Sequence, residues 1–296
     1  MTTIDLHYHA NVSGLPRHNR ISRLRKIRRT FERHGLDCVA STEHSYKKPL
    51  ASYQWLADAA EGSGTHILPG VECVSSEGID IIYLYRTEDD LRCALNAFHS
   101  FSWDIHEVER IREDTGAIVS VPHPFHVCRS AAGNVMSARA YRQLLRKVDY
   151  VEVHNGSALT INKRLGNSCT RSLFKKTRAK LDRTLELPLR DRGRALGWAV
   201  GSDAHYHNEQ YVVGSYDGSL PAGGDWYDLL QQRVRFQPHY LHLPSEYNTA
   251  NNIRLLRSLQ SAMREGIIKE FLRTRRRSAT VLASLLLLYG RTLPFK

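Results

Sequence analysis

The chain has 296 residues, of which 42% are hydrophobic and 24% charged, with a formal net charge of +12 and a pI near 9.6. These values suit one large α/β domain, or a domain with an appendage, and exclude a disordered, fibrous or disulfide-framed chain. No run approaches the roughly 18 apolar residues of a spanning helix, and the basic balance attracts polyanions such as nucleotides, nucleic acid or acidic lipid.

The five cysteines, Cys38, Cys73, Cys93, Cys128 and Cys169, are scattered and form no CxxC pair. They read as free thiols in a reducing compartment. The opening Met1-Thr-Thr-Ile-Asp has no basic n-region or apolar h-region, so a cytoplasmic location is expected.

In chain order, short β-like stretches alternate with amphipathic helical ones. Residues 3–6 read as a strand. Residues 20–34 read as a helix with Ile21, Leu24, Ile27 and Phe31 at helical spacing, ended by Gly35. Residues 36–41 are a strand leading to Thr42-Glu43-His44, and 50–61 a helix. Residues 66–72 and 79–85 are strands joined by a short turn, and 89–98 and 105–115 are helical. Residues 117–121 form a buried strand ending in Pro122-His123-Pro124; 138–146 are helical; 150–153 form a strand ending in His154-Asn155. The last clear strand, 195–200, runs into Gly201-Ser202-Asp203-Ala204-His205. Polar residues collect at strand ends, which is how an α/β barrel displays a site.

Two regions depart from this rhythm. Residues 166–194 are a long basic stretch, read as an insert on the barrel of residues 1–240. Residues 241–296 read as a C-terminal helical extension, with a basic cluster at 273–277 and an apolar run at 281–288. Basic followed by apolar suits a helix packed on the barrel, a partner-binding helix or an interfacial membrane helix. Oligomeric state is not legible.

Imidazole and carboxylate are the ligands of Zn, Mn and Fe, and here they follow apolar strands in packets. His7 and His9 alternate on one strand and point the same way. Asp5 lies on that side too, placed to orient an imidazole from behind. Glu72 is a carboxylate able to bridge two ions. Asp80 lies on the next strand, His123 sits between two prolines that restrict its backbone, and Asp203 and His205 repeat the spacing of His7 and His9.

In order and content these packets resemble the PHP (polymerase and histidinol phosphatase) family of metal-dependent phosphoesterases. Asp5-Leu6-His7-Tyr8-His9 is similar to its opening DxHxH, and Thr42-Glu43-His44 to its T-D-H. Pro69-Gly70-Val71-Glu72 is similar to its glutamate motif, Val121-Pro122-His123-Pro124 to its H-P motif, and Val151-Glu152-Val153-His154-Asn155 to its E-x-x-N strand. Gly201-Ser202-Asp203-Ala204-His205 matches its closing G-S-D-A-H. The resemblance implies a distorted (β/α)7 barrel holding two or three divalent ions (Zn, Mn or Fe). His7, His9, Glu72 and Asp203 would hold the first ion, with Glu72 bridging to a second shared with His123, and His44 and His205 would hold a third. Asp80 stands where relatives usually have histidine, an exchange that favours a harder ion. The stretch 11–15 lacks the acid or histidine with which many relatives complete the third site; His18 is the nearest substitute.

The chemistry implied is attack of a metal-bridging hydroxide on phosphorus, with Asp5, His44 and His205 as catalytic candidates and either histidine as proton donor to the leaving group if the third ion is absent. Arg17, His18, Arg129 and Asn155 are substrate-binding candidates. A phosphorylated small molecule of nucleotide, sugar phosphate or histidinol-phosphate type is the expected substrate. Nucleic acid, cleaved by a phosphodiesterase or exonuclease, is the alternative, and a non-catalytic scaffold the third reading.

Overall fold

The computed structural model describes residues 1–126, 130–157, 196–207, 209–221 and 223–241. Arg129, the basic insert expected at 166–194 and the extension beyond residue 241 lie outside the described residues. Among the described residues, no helix is long and apolar enough to cross a membrane.

Nine strands form one mixed sheet. Strand β1 (Thr2–Tyr8) leads to α1 (Arg17–His34), β2 (Cys38–Ser41), α2 (Pro49–Ala60), β3 (His66–Val74) and β4 (Asp80–Leu84). Then come α3 (Glu88–Ala97), α4 (Val108–Thr115), β5 (Ile118–Val121), α5 (Ala132–Val135), α6 (Ala138–Leu144), β6 (Tyr150–Asn155) and β7 (Gly197–Gly201). Strand β8 (Val212–Tyr216), helix α7 (Trp226–Gln231) and β9 (Gln237–Tyr240) complete the described part.

The strand order is β7-β6-β5-β4-β3-β2-β1-β8-β9. Strands β1, β2 and β3 are mutually parallel, as are β5, β6 and β7, while β4 runs antiparallel between β3 and β5. The sheet curls until its ends meet. Asp203 N donates to His7 O (2.7 Å) and His9 N to Ala204 O (3.1 Å), joining the end of β1 to the segment after β7. Phe236 N donates to Trp198 O (3.1 Å), joining the approach to β9 to β7. This is the distorted α/β barrel that the resemblance to the PHP family implies. Its distortion lies in antiparallel β4 and in the β8–β9 pair, where the periodicity predicts no strands: Gly214 and Pro238 interrupt two short, weakly apolar stretches.

Strand β1 is buried from Thr3 to Tyr8 because helices cover its outer face. The Tyr8 ring meets Phe31 of α1 at 5.3 Å, while Asp5 and His7 alternate toward the interior. Helix α1 buries Leu24, Ile27 and Phe31 as its spacing predicts. Ile21, expected with them, is 40% exposed. It sits at the edge of the apolar stripe, and Arg20 takes the inner position with its guanidinium 3.8 Å from the centre of the Trp55 ring of α2.

At the opposite end of the strands, Asp149 is a staple. Its carboxylate accepts two hydrogen bonds from Arg112, at 2.8 Å each, two from Arg233 at 3.2 and 2.9 Å, and one from Val119 N at 3.1 Å. Asp149→Ala is expected to cost about 2–3 kcal/mol, a figure held down because the Arg112 and Arg233 side chains are 32% and 42% exposed. Thermal unfolding of the metal-loaded protein checks this; an unshifted midpoint rejects the staple.

Candidate metal centre

The six co-directional strands β1, β2, β3, β5, β6 and β7 point their C-terminal ends at one rim. His7 is the penultimate residue of β1, with His9 just beyond the strand; His44 follows β2, Glu72 lies near the end of β3, His123 follows β5 and Asp203 follows β7. Asp80 reaches the same rim because β4 is antiparallel: its first residue pairs with Val74, the last of β3. His123 and Asp203 have φ of 27° and 49°, left-handed backbone that costs a residue other than glycine on the order of 1 kcal/mol or more. Hydrogen bonds hold both there: His123 N donates to Glu152 and Asp203 N to His7 O.

Among the described residues, three ligand groups form, each with donor atoms within 4.8 Å of one another: His7, Glu72 and His123; His7, His9 and Asp203; His9, His44 and His205. His7 and His9 each belong to two of them, so the groups are contiguous. His7 Nε2 and His9 Nε2 stand 3.0 Å apart. They face Glu72 at 3.9 and 3.6 Å and Asp203 at 3.6 and 3.5 Å. His123 Nε2 lies 3.2 Å from Glu72 and 3.9 Å from Asp80. His44 Nδ1 lies 2.6 Å from Glu72.

The gap read at residues 11–15 has a structural answer. His9 stands beside both His44 and His205, with ring centroids 4.5 Å away in each case. The stretch itself supplies a backbone N–H, from Asn11 to Glu43 at 2.7 Å. His18, the substitute considered, is exposed on α1, as is Arg17.

The donor set fits divalent ions. It is imidazole and carboxylate without thiolate, nearly all buried, and burying this many carboxylates is costly unless cations face them. Without an ion, protons on His7 and His9 supply part of that charge. Burial pulls the His9 imidazole down, but hydrogen bonds to Asp203 and Glu43 and the field of Glu72 outweigh it and hold it up to about 10. His7 is likewise raised, as Asp203, Glu152 and Glu72 outweigh burial. Glu43 goes down to about 2, because His9 beside it outweighs desolvation. The sign follows. Glu43 and Asp203, both held below the ordinary carboxylate range, are ionised at neutral pH, a ligating imidazole must be neutral, and an ion bound through His9 therefore expels a proton. Metal affinity is expected to rise about tenfold per pH unit for each proton expelled. Calorimetric titration in buffers of different protonation enthalpy measures this; binding without proton release at neutral pH would count against it.

Behind the ligands lies a layer of Glu152, Asn155 and Asp5, of which Glu152 has no role in the sequence reading. Glu152 places Oε1 3.2 Å from His7 Nδ1, and its Oε2 accepts from His123 N and from Asn155 Nδ2 at 3.0 Å. One carboxylate thus orients two ligands. Its signal was the E-x-x-N pattern, which the motif comparison noted without giving Glu152 a role. Asn155, expected to touch substrate, directs its amide to Glu152 and to Asp203 Oδ2 at 3.3 Å. Asp5, expected behind an imidazole, instead accepts from Ser202 N at 2.9 Å, Ser202 Oγ at 2.6 Å, Gln210 Nε2 at 2.6 Å and His7 N at 3.2 Å. It ties β1 to the loop bearing Asp203 and His205, and burial pushes it up to about 6 against those hydrogen bonds.

No known family profile and no curated protein matches the chain. Among solved structures, the fold is similar to that of PsfC from Pseudomonas syringae PB-5123, with 17% identity and a TM-score of 0.51 over 93% of this chain and 98% of that one. A protein from Bifidobacterium adolescentis, provisionally described as a metal-dependent phosphoesterase, aligns at 15% identity and a TM-score of 0.44 over 78% of this chain and 96% of its own. The lesion-specific endonuclease PfuEndoQ from Pyrococcus furiosus aligns at 12% identity and a TM-score of 0.49 over 79% of this chain and 57% of its own. At these identities the likeness is one of fold.

Proposed function

We propose that the chain is a metal-dependent phosphoesterase of the PHP type, hydrolysing a phosphomonoester of a small metabolite of nucleotide, sugar phosphate or histidinol-phosphate type. One observation carries this reading: three ligand groups sharing His7 and His9 gather at one barrel rim. Two or more divalent ions held there would lower the pKa of a water they share and neutralise phosphoryl oxygens. Glu72 faces His7, His9, His44 and His123, so it is the residue that spans the groups. Asp203 and His205 have the most open side chains of the ligand set, 11% and 23% exposed, and the phosphoryl group approaches over them. His205 sets Nδ1 3.1 Å from the Asp203 carbonyl oxygen. Where no ion occupies the His9–His44–His205 group, His205 would be the residue to hand a proton to the leaving alkoxide.

A second reading, a phosphodiesterase on nucleic acid, draws on α1, whose Arg25, Lys26 and Arg29 are exposed. The test loads the purified chain with manganese or zinc and offers phosphomonoesters and single-stranded oligonucleotides. Release of inorganic phosphate with oligonucleotides left intact supports the phosphatase. Cleaved oligonucleotides without phosphate release support the nuclease. Failure to retain metal after reconstitution rejects both in favour of a scaffold.

A further inference from the structure

The metal centre is most open at Asp203 and His205, both only partly exposed, and the next residue in the chain is Tyr206. Its side chain is among the few large apolar ones that the described residues leave exposed, at 38%. An exposed aromatic ring costs solvation free energy unless something covers it, and here the ring is held in place. The Arg23 guanidinium of α1 lies 4.8 Å from its centre and donates to the carbonyl oxygen of His205. The loop is closed on itself: Glu209 N donates to Tyr206 O at 2.9 Å, and His205 N donates to Glu209 Oε2 at 3.3 Å. One cation therefore fixes both the ligand loop and the ring beside it. The His205 ring in turn stacks on His9 at 4.5 Å, which ties the loop that carries Tyr206 to the ligands.

We infer that Tyr206, fixed by Arg23, is a specificity platform for the alcohol portion of the substrate, and that preferred substrates are phosphomonoesters carrying a planar ring, such as nucleoside monophosphates, rather than simple sugar phosphates. This inference rests on the phosphoesterase reading. Stacking of a base on an aromatic side chain strengthens binding by roughly tenfold or more, and a ring already held by a cation loses little further freedom on binding.

The test compares adenosine monophosphate with ribose phosphate on the metal-loaded full chain, following phosphate release and, by calorimetry, binding. Both ligands carry the same phosphorylated pentose, so their ratio isolates the ring. The wild type is expected to favour adenosine monophosphate about tenfold in KM, with kcat similar for the two. Tyr206→Ala is expected to bring the ratio near one, and Tyr206→Phe to restore it. Arg23→Gln should reduce it in part. Each comparison is internal to one protein, so a general loss of folding or metal cancels. A ratio near one in the wild type, or an unchanged ratio in Tyr206→Ala, overturns the platform and leaves the phosphoesterase reading standing. No phosphate release and no binding with either ligand defeats that reading, and this inference with it.

Discussion

Glu72→Gln is expected to reduce metal-dependent turnover by at least about a thousandfold, some 4 kcal/mol of transition-state stabilisation. The side chain keeps its shape, so packing in β3 is preserved. The change removes one negative charge and replaces one oxygen acceptor with a donor, at a position where Oε1 faces His123 and His7 and Oε2 faces His9 and His44. An amide nitrogen cannot ligate where an imidazole nitrogen must also point, so the His7–Glu72–His123 group loses its carboxylate. Elemental analysis should find at least one ion fewer per chain, while the metal-free variant should melt close to the metal-free wild type. Full metal content together with undiminished turnover would place the chemistry elsewhere.

Gly201→Ala is the second large effect, and it acts through closure of the barrel. A methyl group on Gly201 would stand 2.3 Å from His7 Cβ, 2.4 Å from Glu152 Oε1 and 3.1 Å from His7 N. Two of these atoms belong to the backbone of β1 or are bonded directly to it, so no rotamer change relieves the contact. Strand β7 must move off β1, or His7 must leave Glu152. The expected cost is about 1–3 kcal/mol of stability from overpacking, with a loss of metal affinity of roughly 10–100-fold from misorienting a ligand. Competition against a chelator measures the affinity and thermal unfolding the stability. Wild-type affinity in this variant would mean that the His7–Glu152 contact does not position the ligand.

The layout of the barrel was readable where local periodicity is strong. Short apolar runs mark β2, β3, β5 and β7, and the spacing of Leu24, Ile27 and Phe31 marks the inner face of α1. The rule fails where local pattern is weak or misleading. Strands β8 and β9 carry Gly214 and Pro238 and are held as strands by pairing with β1 and with each other. Ile21 fits the helical spacing but lies at the stripe's edge, where the fold gives the inner place to Arg20.

The donor set and its order along the chain were determined by the sequence alone. Imidazoles and carboxylates at the ends of apolar strands are a local pattern, set by strand alternation and by what an apolar run will bury. Which donors share an ion was decided only by the tertiary structure. His9 joins His44 and His205, Glu152 stands behind His7, and Asp5 closes on Ser202 from 197 residues away. These partnerships depend on how far the sheet curls before β1 meets β7. They depend also on side-chain directions at His123 and Asp203, where left-handed backbone leaves the two-residue period of a strand. Alternation along a strand predicts a direction only while the chain remains a strand, and this centre is built mainly from the residues at which it ceases to be one.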